Sequence, residues 1–112
     1  MVSHLETDIF DLFKNGKKDI EVRVNDEKRR NIKIGDKITF LKRPDEIEKL
    51  ETTVVDLKYY SNFKELVDFY DIERLYYPNY TKEKYLNDLG KFYSKEEQIE
   101  YGVVAIIVEK QY

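Results

Sequence analysis

Three side chains that lie close together in the sequence could perform acid–base or anion-binding chemistry. Lys18 precedes a segment in which Glu21 and Arg23 stand two positions apart. Residues at i and i+2 of a strand point to the same face, so the carboxylate and the guanidinium would share one surface. There Glu21 could take or give a proton, and Arg23 could hold a phosphate or carbonyl oxygen in a two-pronged hydrogen bond. Lys18 could act as a base if burial lowers its pKa.

The spacing of these three residues also has a simpler interpretation. Alternating charges on an exposed strand face commonly form cross-strand salt bridges that contribute little to stability and nothing to function. The spacing by itself favours this interpretation over a functional site.

The charge of the chain is unevenly distributed. The net charge is −3, but segment 14–43 carries eleven basic and five acidic residues and has a net charge of +6, which leaves −9 for the rest. This asymmetry predicts a face that binds a polyanion such as RNA. A solvated strand-and-turn surface explains the charges equally well. The cations that would contact phosphates are Arg23, Lys28, Arg29 and Arg30.

The elements that must position these residues include several short strands. Alternation of apolar and polar residues predicts a strand over residues 20–24 with one buried and one polar face. The Gly35-Asp36 pair indicates a corner that leads into a second strand at 38–40. Residues 52–60 are rich in Thr, Val and Tyr and predict a third strand. The apolar run 103–108 predicts a last strand that is buried on both faces.

Capping residues predict short helices between and before these strands. The first helix would end at Asn15-Gly16, and the tyrosine-rich stretch 70–80 is interpreted as an ordered connection. The predicted caps are Thr7 for the first helix, Ser61 for the second, Thr81 for the third, and Ser94 with Glu97 for the fourth. The whole predicts one α+β domain over residues 1–112 in which a closed or half-closed β-barrel protects the edges of its short strands.

Composition excludes several classes of site. The chain has no cysteine, which excludes disulfides, thiolate metal sites and a cysteine nucleophile. His4 is the only histidine, so a site with several histidine ligands is excluded too. We expect neither a metal nor a cofactor. The N-terminal residues contain Asp and Glu and no apolar run, which predicts a cytoplasmic protein without a signal peptide or membrane anchor.

Three motifs in this order resemble the ASCH family. They are a Gly-x-Lys-x-x-Glu-x-Arg strand at 16–23, a Gly-Asp corner leading into Ile-x-Phe at 35–40, and a Gly-Val-Val-Ala-Ile strand at 102–106. The resemblance spans nearly the whole chain. It implies a PUA-like small β-barrel of mixed, mostly antiparallel strands with inserted short helices, a cleft beside the Lys/Glu/Arg strand, and a role in RNA binding or RNA-linked chemistry. It also implies that His4 precedes a first strand near this cleft.

One bacterial branch of the ASCH family is regarded as an amidohydrolase that removes the acetyl group from acetylated cytidine with a Lys, a Thr and a Glu. Lys18 matches the Lys of that branch, and Glu83 is the nearest match to its Glu. Glu21 stands where the branch has Thr, so the expected nucleophile is missing here. The resemblance therefore implies only part of the catalytic residues that this reaction needs.

These observations predict an RNA- or nucleotide-binding module whose basic cleft takes RNA or a nucleoside-like small molecule. The alternative is a hydrolase of the amidohydrolase or ribonuclease type that acts on a modified nucleoside or RNA, with Lys18 and Glu21 as the acid–base pair. Tyr59 and Tyr93, near element ends beside the expected cleft, are candidates for stacking on bases. Pairing between the +6 and −9 regions of two molecules would give a homodimer.

Overall fold

The computed structural model describes residues 1–111, in which a five-stranded sheet carries several short helices. The strands follow the order β1-β3-β4-β5-β2 across the sheet. Their bounds are β1 Val2–Leu5, β2 Ile20–Val24, β3 Lys37–Lys42, β4 Lys49–Tyr60 and β5 Val103–Lys110. The helices are α1 Thr7–Lys14, α2 Glu27–Arg30, α3 Phe63–Phe69, α4 Ile72–Leu75, α5 Lys82–Phe92 and α6 Lys95–Tyr101.

The sheet is mixed and curls into a half-barrel. β1 pairs in parallel with β3, whereas every other pair is antiparallel. A register shift between Val54 and Asp56 lies in the long strand β4, and such bulges bend a strand and increase its twist. β1 and β2 are the two edges of the sheet. The α+β half-barrel predicted from the sequence is confirmed.

Apolar residues pack on both sides of the sheet, and β5 contributes to both. Val103 and Ala105 join the cluster formed with α3, α4 and α5, whereas Val104, Ile106 and Val108 join the one formed with α1. Successive strand residues point to opposite faces, so a strand covered on both sides must be apolar throughout. This confirms the prediction that β5 is buried on both faces.

Strand β2 differs from its predicted arrangement. Ile20, Val22 and Val24 are buried against the helices, as expected. The opposite face is not open to solvent, because Glu21 is only 7% exposed and the side chain of Arg23 24% exposed. The structure thus has the polar face that the alternation predicts, but not the exposed strand face that the simple salt-bridge interpretation requires. Alternation in the sequence identifies the two faces of a strand, but it does not show that more distant elements cover the polar one.

Two predicted helix caps are displaced by one residue. Glu6 occupies the N-cap of α1, and the predicted cap Thr7 instead donates its hydroxyl hydrogen bond to the carbonyl of Arg43, at 2.9 Å. Asn62, not Ser61, accepts the backbone hydrogen bond at the start of α3. The predicted caps of α5 and α6 are confirmed: Thr81 accepts from Lys84, and Ser94 forms a capping box with Glu97.

Candidate functional site

A cleft of about 570 Å³ lies where the two edge strands of the half-barrel approach each other. Three groups of residues form its walls. The first is from β1, the start of α1 and the position after β3, the second is from β2 and the residues before it, and the third is from α5 and the end of α4. Lys18 and Glu21 are buried charged residues and form its floor. The lining is His4, Leu5, Glu6, Ile9, Lys18, Glu21, Val22, Arg23, Arg43, Leu75, Tyr76, Tyr85, Asp88, Leu89, Phe92 and Tyr93.

Lys18 lies at the floor of the cleft and is 3% exposed. Its ammonium group donates hydrogen bonds to the carbonyl of Ile20 and, at 2.5 Å, to that of Leu75, and it stands 4.8 Å from the ring centre of Phe13. Burial lowers its pKa to about 8, although the negative charge of Glu21 acts in the opposite direction. A large fraction of this amine is therefore neutral in mildly alkaline solution.

Glu21 and Arg23 form an ion pair inside the cleft. Oε1 of Glu21 lies 3.0 Å from NH1 of Arg23, which also donates to the carbonyl of Val22 at 3.0 Å. The other carboxylate oxygen, Oε2, is buried and has no hydrogen-bond partner within residues 1–111. A buried acceptor without a donor costs about 1–3 kcal/mol, so this oxygen is the group in the cleft that most requires a partner.

The guanidinium of Arg23 is held in its charged form by its surroundings. The negative charge of Glu21 is the main cause that raises the pKa of Arg23, and interactions with Tyr93 and Tyr85 of helix α5 act in the same direction. Burial raises the pKa of the Tyr85 phenol. The cleft therefore combines a fixed cation with the neutral phenol of Tyr85, and the hydroxyls of Tyr85 and Tyr93 can donate or accept hydrogen bonds.

A cluster of tyrosines adjoins the cleft on the α5 side, and two of its members, Tyr76 and Tyr85, belong to the lining. The rings of Tyr76 and Tyr85 stack with centres 4.7 Å apart, and Tyr80 packs edge-on to Tyr76. The hydroxyl of Tyr80 donates to Asp88 at 2.6 Å. Sequence reasoning did not assign Tyr76 or Tyr85 to the site. The concentration of tyrosines around Pro78 was the available signal, but it has no regular period that places the rings on one surface.

Histidine and carboxylate meet on the opposite rim of the cleft. Nδ1 of His4, on β1, lies 2.5 Å from Oε1 of Glu46 in the turn between β3 and β4. Arg43 and Glu6 lie on the same rim, with Nε of Arg43 3.8 Å from Oε1 of Glu6. No sequence motif indicates the pairing of His4 with Glu46, because 42 positions separate the two residues.

The predicted site residues thus fall into two groups. The structure brings Lys18, Glu21, Arg23 and Tyr93 together in the cleft. The remaining predicted residues do not line it. Lys28, Arg29 and Arg30 lie on helix α2, Tyr59 is 57% exposed on β4, and Glu83 is in the first turn of α5.

A larger groove of about 910 Å³ lies among helices α3, α5 and α6. Its ionisable side chains include Lys64, Lys95 and Glu100, which are all exposed. Exposed charges are solvated and leave no polar group in need of a partner. The smaller cleft is therefore the candidate functional site.

Two other kinds of feature are absent from the described chain. Residues 1–111 contain no group of three or more His, Asp or Glu side chains arranged to hold a metal ion. Within that same stretch, no helix has both the length and the apolar character that a membrane crossing requires.

Known proteins provide an independent comparison. The family model of the ASCH domain matches residues 4–111. The crystal structure of hypothetical protein PH0355 is 34% identical, with a TM-score of 0.82 over 98% of this chain and 97% of that one. The solution structure of protein PF0455 from Pyrococcus furiosus is 33% identical, with a TM-score of 0.79 over 99% of this chain and 97% of that one. No curated protein matches the chain significantly.

Proposed function

This chain belongs to the ASCH domain family, and we propose that its cleft binds one nucleoside unit, either free or as part of RNA. The observation that carries the proposal is the buried Oε2 of Glu21, a residue of the cleft lining, which has no donor within residues 1–111. A ligand that supplies an N–H group to this oxygen would remove the unfavourable free energy of an unsatisfied buried acceptor.

A nucleobase meets the chemical requirements of this floor. Base edges present N–H donors beside ring or carbonyl acceptors. Glu21 would accept from a base N–H, and the guanidinium of Arg23 is the nearby donor for a base acceptor. The aromatic side chains of Tyr85, Phe92 and Tyr93 line the same cleft and offer apolar surface for the faces of a planar ring.

The size and character of the cleft fit a small ligand of this kind. Its volume of about 570 Å³ lies within the range of roughly 300–1,000 Å³ that is usual for small-molecule sites. Such sites combine a largely apolar lining with a few fixed polar groups. Leu5, Ile9 and Leu89 provide apolar lining here, and the buried charges of Lys18 and Glu21 provide the fixed polar groups.

For RNA, the neighbouring phosphates require cations outside the cleft. Helix α2 supplies exposed Lys28 and Arg30, whereas Arg29 is largely buried, with only 17% of its side chain exposed. We assign Lys28 and Arg30 to phosphate contacts, with Arg29 in a supporting position. Contacts of this type make affinity depend steeply on salt concentration.

Calorimetric titration of the four common ribonucleosides tests the proposal. We expect at least one to bind the wild-type chain, and Glu21→Gln to weaken its binding about tenfold, because the amide keeps the shape of the side chain but loses an acceptor oxygen and the charge. Glu83→Gln, which changes a carboxylate outside the cleft lining, is the matched control and should bind as the wild type does. Binding that is unchanged in Glu21→Gln contradicts the proposal.

Lys18 supports a second candidate function, hydrolysis of a modified nucleoside or RNA. Its pKa of about 8 and its position beside Glu21 are features of a general acid–base pair. In this role, one member would take a proton from the attacking water or hydroxyl, and the other would protonate the leaving nitrogen or oxygen, while Arg23 orients the substrate.

Mass spectrometry distinguishes the two candidates. Modified nucleosides and a structured RNA are incubated with the wild-type chain and with Lys18→Met, which keeps an unbranched apolar side chain in the buried position. Turnover by the wild type that is lost in Lys18→Met, with nucleoside binding retained, supports the hydrolase. Substrates that all remain intact favour the binding module.

A further inference from the structure

His4 occupies a position on the rim that is suited to contact with a ligand. It lies on β1, across the cleft from Glu21 of β2, and its side chain is 43% exposed. Nδ1 is engaged with Glu46 at 2.5 Å. Among residues 1–111 no group donates a hydrogen bond to Nε2, although the ring lines the cleft.

The carboxylate of Glu46 determines which nitrogen of His4 carries the proton. A carboxylate only accepts hydrogen bonds, so the neutral imidazole must hold its hydrogen on Nδ1 in this contact. The lone pair is then on Nε2, and this nitrogen becomes an acceptor. The pair therefore presents an acceptor of fixed orientation at the mouth of the cleft.

The local backbone shows that Glu46 is held in place. Its φ of 62° lies in the left-handed region, which residues other than glycine seldom adopt. The amide of Glu46 donates to the carbonyl of Lys42 at 2.8 Å, and the amide of Arg43 donates to the carbonyl of Leu5 at 2.9 Å. These hydrogen bonds attach the turn to the end of β1. They therefore hold the backbone of Glu46 at a fixed position relative to that of His4.

We propose that Nε2 of His4 accepts a hydrogen bond from the 2′-hydroxyl of the bound nucleoside, so that the cleft selects ribonucleosides over 2′-deoxyribonucleosides. Glu46 is the positioning residue that acts through His4. The inference rests on the proposed function, because it assumes that a nucleoside occupies the cleft.

The different burial of Glu21 and His4 indicates which part of the nucleoside each would contact. Glu21 is 7% exposed at the floor, where the planar base costs less to bury than the sugar, because its N–H group gains an acceptor there and the base has no hydroxyl groups to desolvate. His4 stands at the half-exposed mouth, where the well-hydrated sugar would remain near water. The 2′-hydroxyl is the group by which proteins distinguish RNA from DNA.

Titration of each ribonucleoside and its 2′-deoxy counterpart tests the inference. For the ribonucleoside that binds tightest, we expect about fivefold weaker binding of the deoxy form to the wild type, which is the usual size for one neutral hydrogen bond. His4→Phe keeps a ring but has no acceptor, and it should bind both forms equally. Glu46→Gln should reduce the preference. Glu48→Gln, in the same turn but outside the cleft lining, is the control and should retain it.

Nitrogen NMR of the free protein provides a readout that does not depend on a ligand. For the neutral imidazole we expect His4 to carry its proton on Nδ1 in the wild type and in Glu48→Gln, and to be a mixture of both tautomers in Glu46→Gln. Protonation at Nε2 in the wild type overturns the inference.

The binding outcomes separate the inference from the proposed function. Equal affinity of the wild type for the ribo and deoxy forms, or a preference that persists in His4→Phe, overturns the inference and leaves the proposed function standing. If no nucleoside binds the wild type, the proposed function and the inference fail together.

Discussion

Glu21 meets Arg23 through only one of its carboxylate oxygens, with Oε1 3.0 Å from NH1 and Oε2 buried without a partner among residues 1–111. Both residues are on β2, an edge strand, and line the cleft together with residues of β1, α1 and α5. The ion pair is therefore shielded from water, and each charged group needs the other to offset the free energy of its burial. A surface salt bridge would be nearly neutral for stability.

Removing one partner of this pair should destabilise the fold. We expect Arg23→Met to lower the free energy of unfolding by about 2 kcal/mol, because it leaves the buried carboxylate of Glu21 without its cation. The double variant Arg23→Met with Glu21→Gln should lie closer to the wild type, since it leaves no buried carboxylate without its guanidinium. Urea denaturation measures all three proteins. A single variant as stable as the wild type would show that the carboxylate is solvated.

Lys18 should make stability rise with pH in alkaline solution. Its pKa is about 8 in the folded chain, against the ordinary lysine value of 10.5 that applies once the chain unfolds. Between these two values the unfolded chain binds the additional proton, so unfolding becomes less favourable as pH rises. The full effect is on the order of 3 kcal/mol. Below pH 8 the amine is charged in both states and the contribution is constant.

Urea denaturation between pH 7.5 and 9 measures the first part of this rise, where few tyrosines of the unfolded chain are ionised because their ordinary pKa is about 10. Lys18→Met has no amine and should lack the rise, which makes it the reference. Parallel pH profiles for the two proteins would place the ammonium of Lys18 in contact with water.

The cations of α2 should control the salt dependence of RNA binding. We expect Lys28→Gln and Arg30→Gln each to reduce the slope of log affinity against log salt by about 1, since each would release one fewer counterion. Lys64→Gln on α3 removes a cation that is 76% exposed and already paired with Asp68, and it should leave the slope unchanged. Fluorescence anisotropy with a short single-stranded RNA gives the slopes. Equal slopes in all four proteins would remove α2 from the RNA interface.

Two glycines should respond in opposite ways to substitution by alanine. Gly102 has a φ of 68°, and a Cβ added there would lie 3.1 Å from the carbonyl oxygen of Tyr60, so Gly102→Ala should lower stability by about 1–2 kcal/mol. Gly90 lies within α5 and a Cβ there would meet nothing within 4 Å, so Gly90→Ala should raise stability by about 0.5–1 kcal/mol. Thermal and urea unfolding compare the pair. A stable Gly102→Ala would mean that β5 can shift away from β4.

The sequence predicted those features that depend on neighbouring residues. Alternation located β2, the continuous apolar run located β5, and the Ser94 and Glu97 pair located α6, because period and capping are local properties. The grouping of Lys18, Glu21 and Arg23 followed for the same reason. The resemblance to the ASCH family supplied the cleft beside them, which spacing alone did not favour.

The remaining parts of the site depend on contacts between distant segments. Glu21 is buried in a cleft whose other walls include β1 and α5, and α5 lies more than 60 positions further along the chain, so no local pattern encodes that packing. Thr7 was predicted as a cap because its type suits one, yet its hydroxyl bonds to Arg43, 36 positions away. The pairing of His4 with Glu46 is equally long-range.

The two edge strands that line the cleft, β1 and β2, should differ in local stability. Each has a single neighbouring strand, but only Leu5 of the four residues of β1 is buried, whereas four of the five residues of β2 are buried and its apolar face packs on three helices. Short edge elements open locally at a small fraction of the global unfolding free energy. We expect the amide hydrogens of β1 to exchange with deuterium before those of β2. The wall of the cleft that β1 forms would then open locally while the wall that β2 forms keeps its structure.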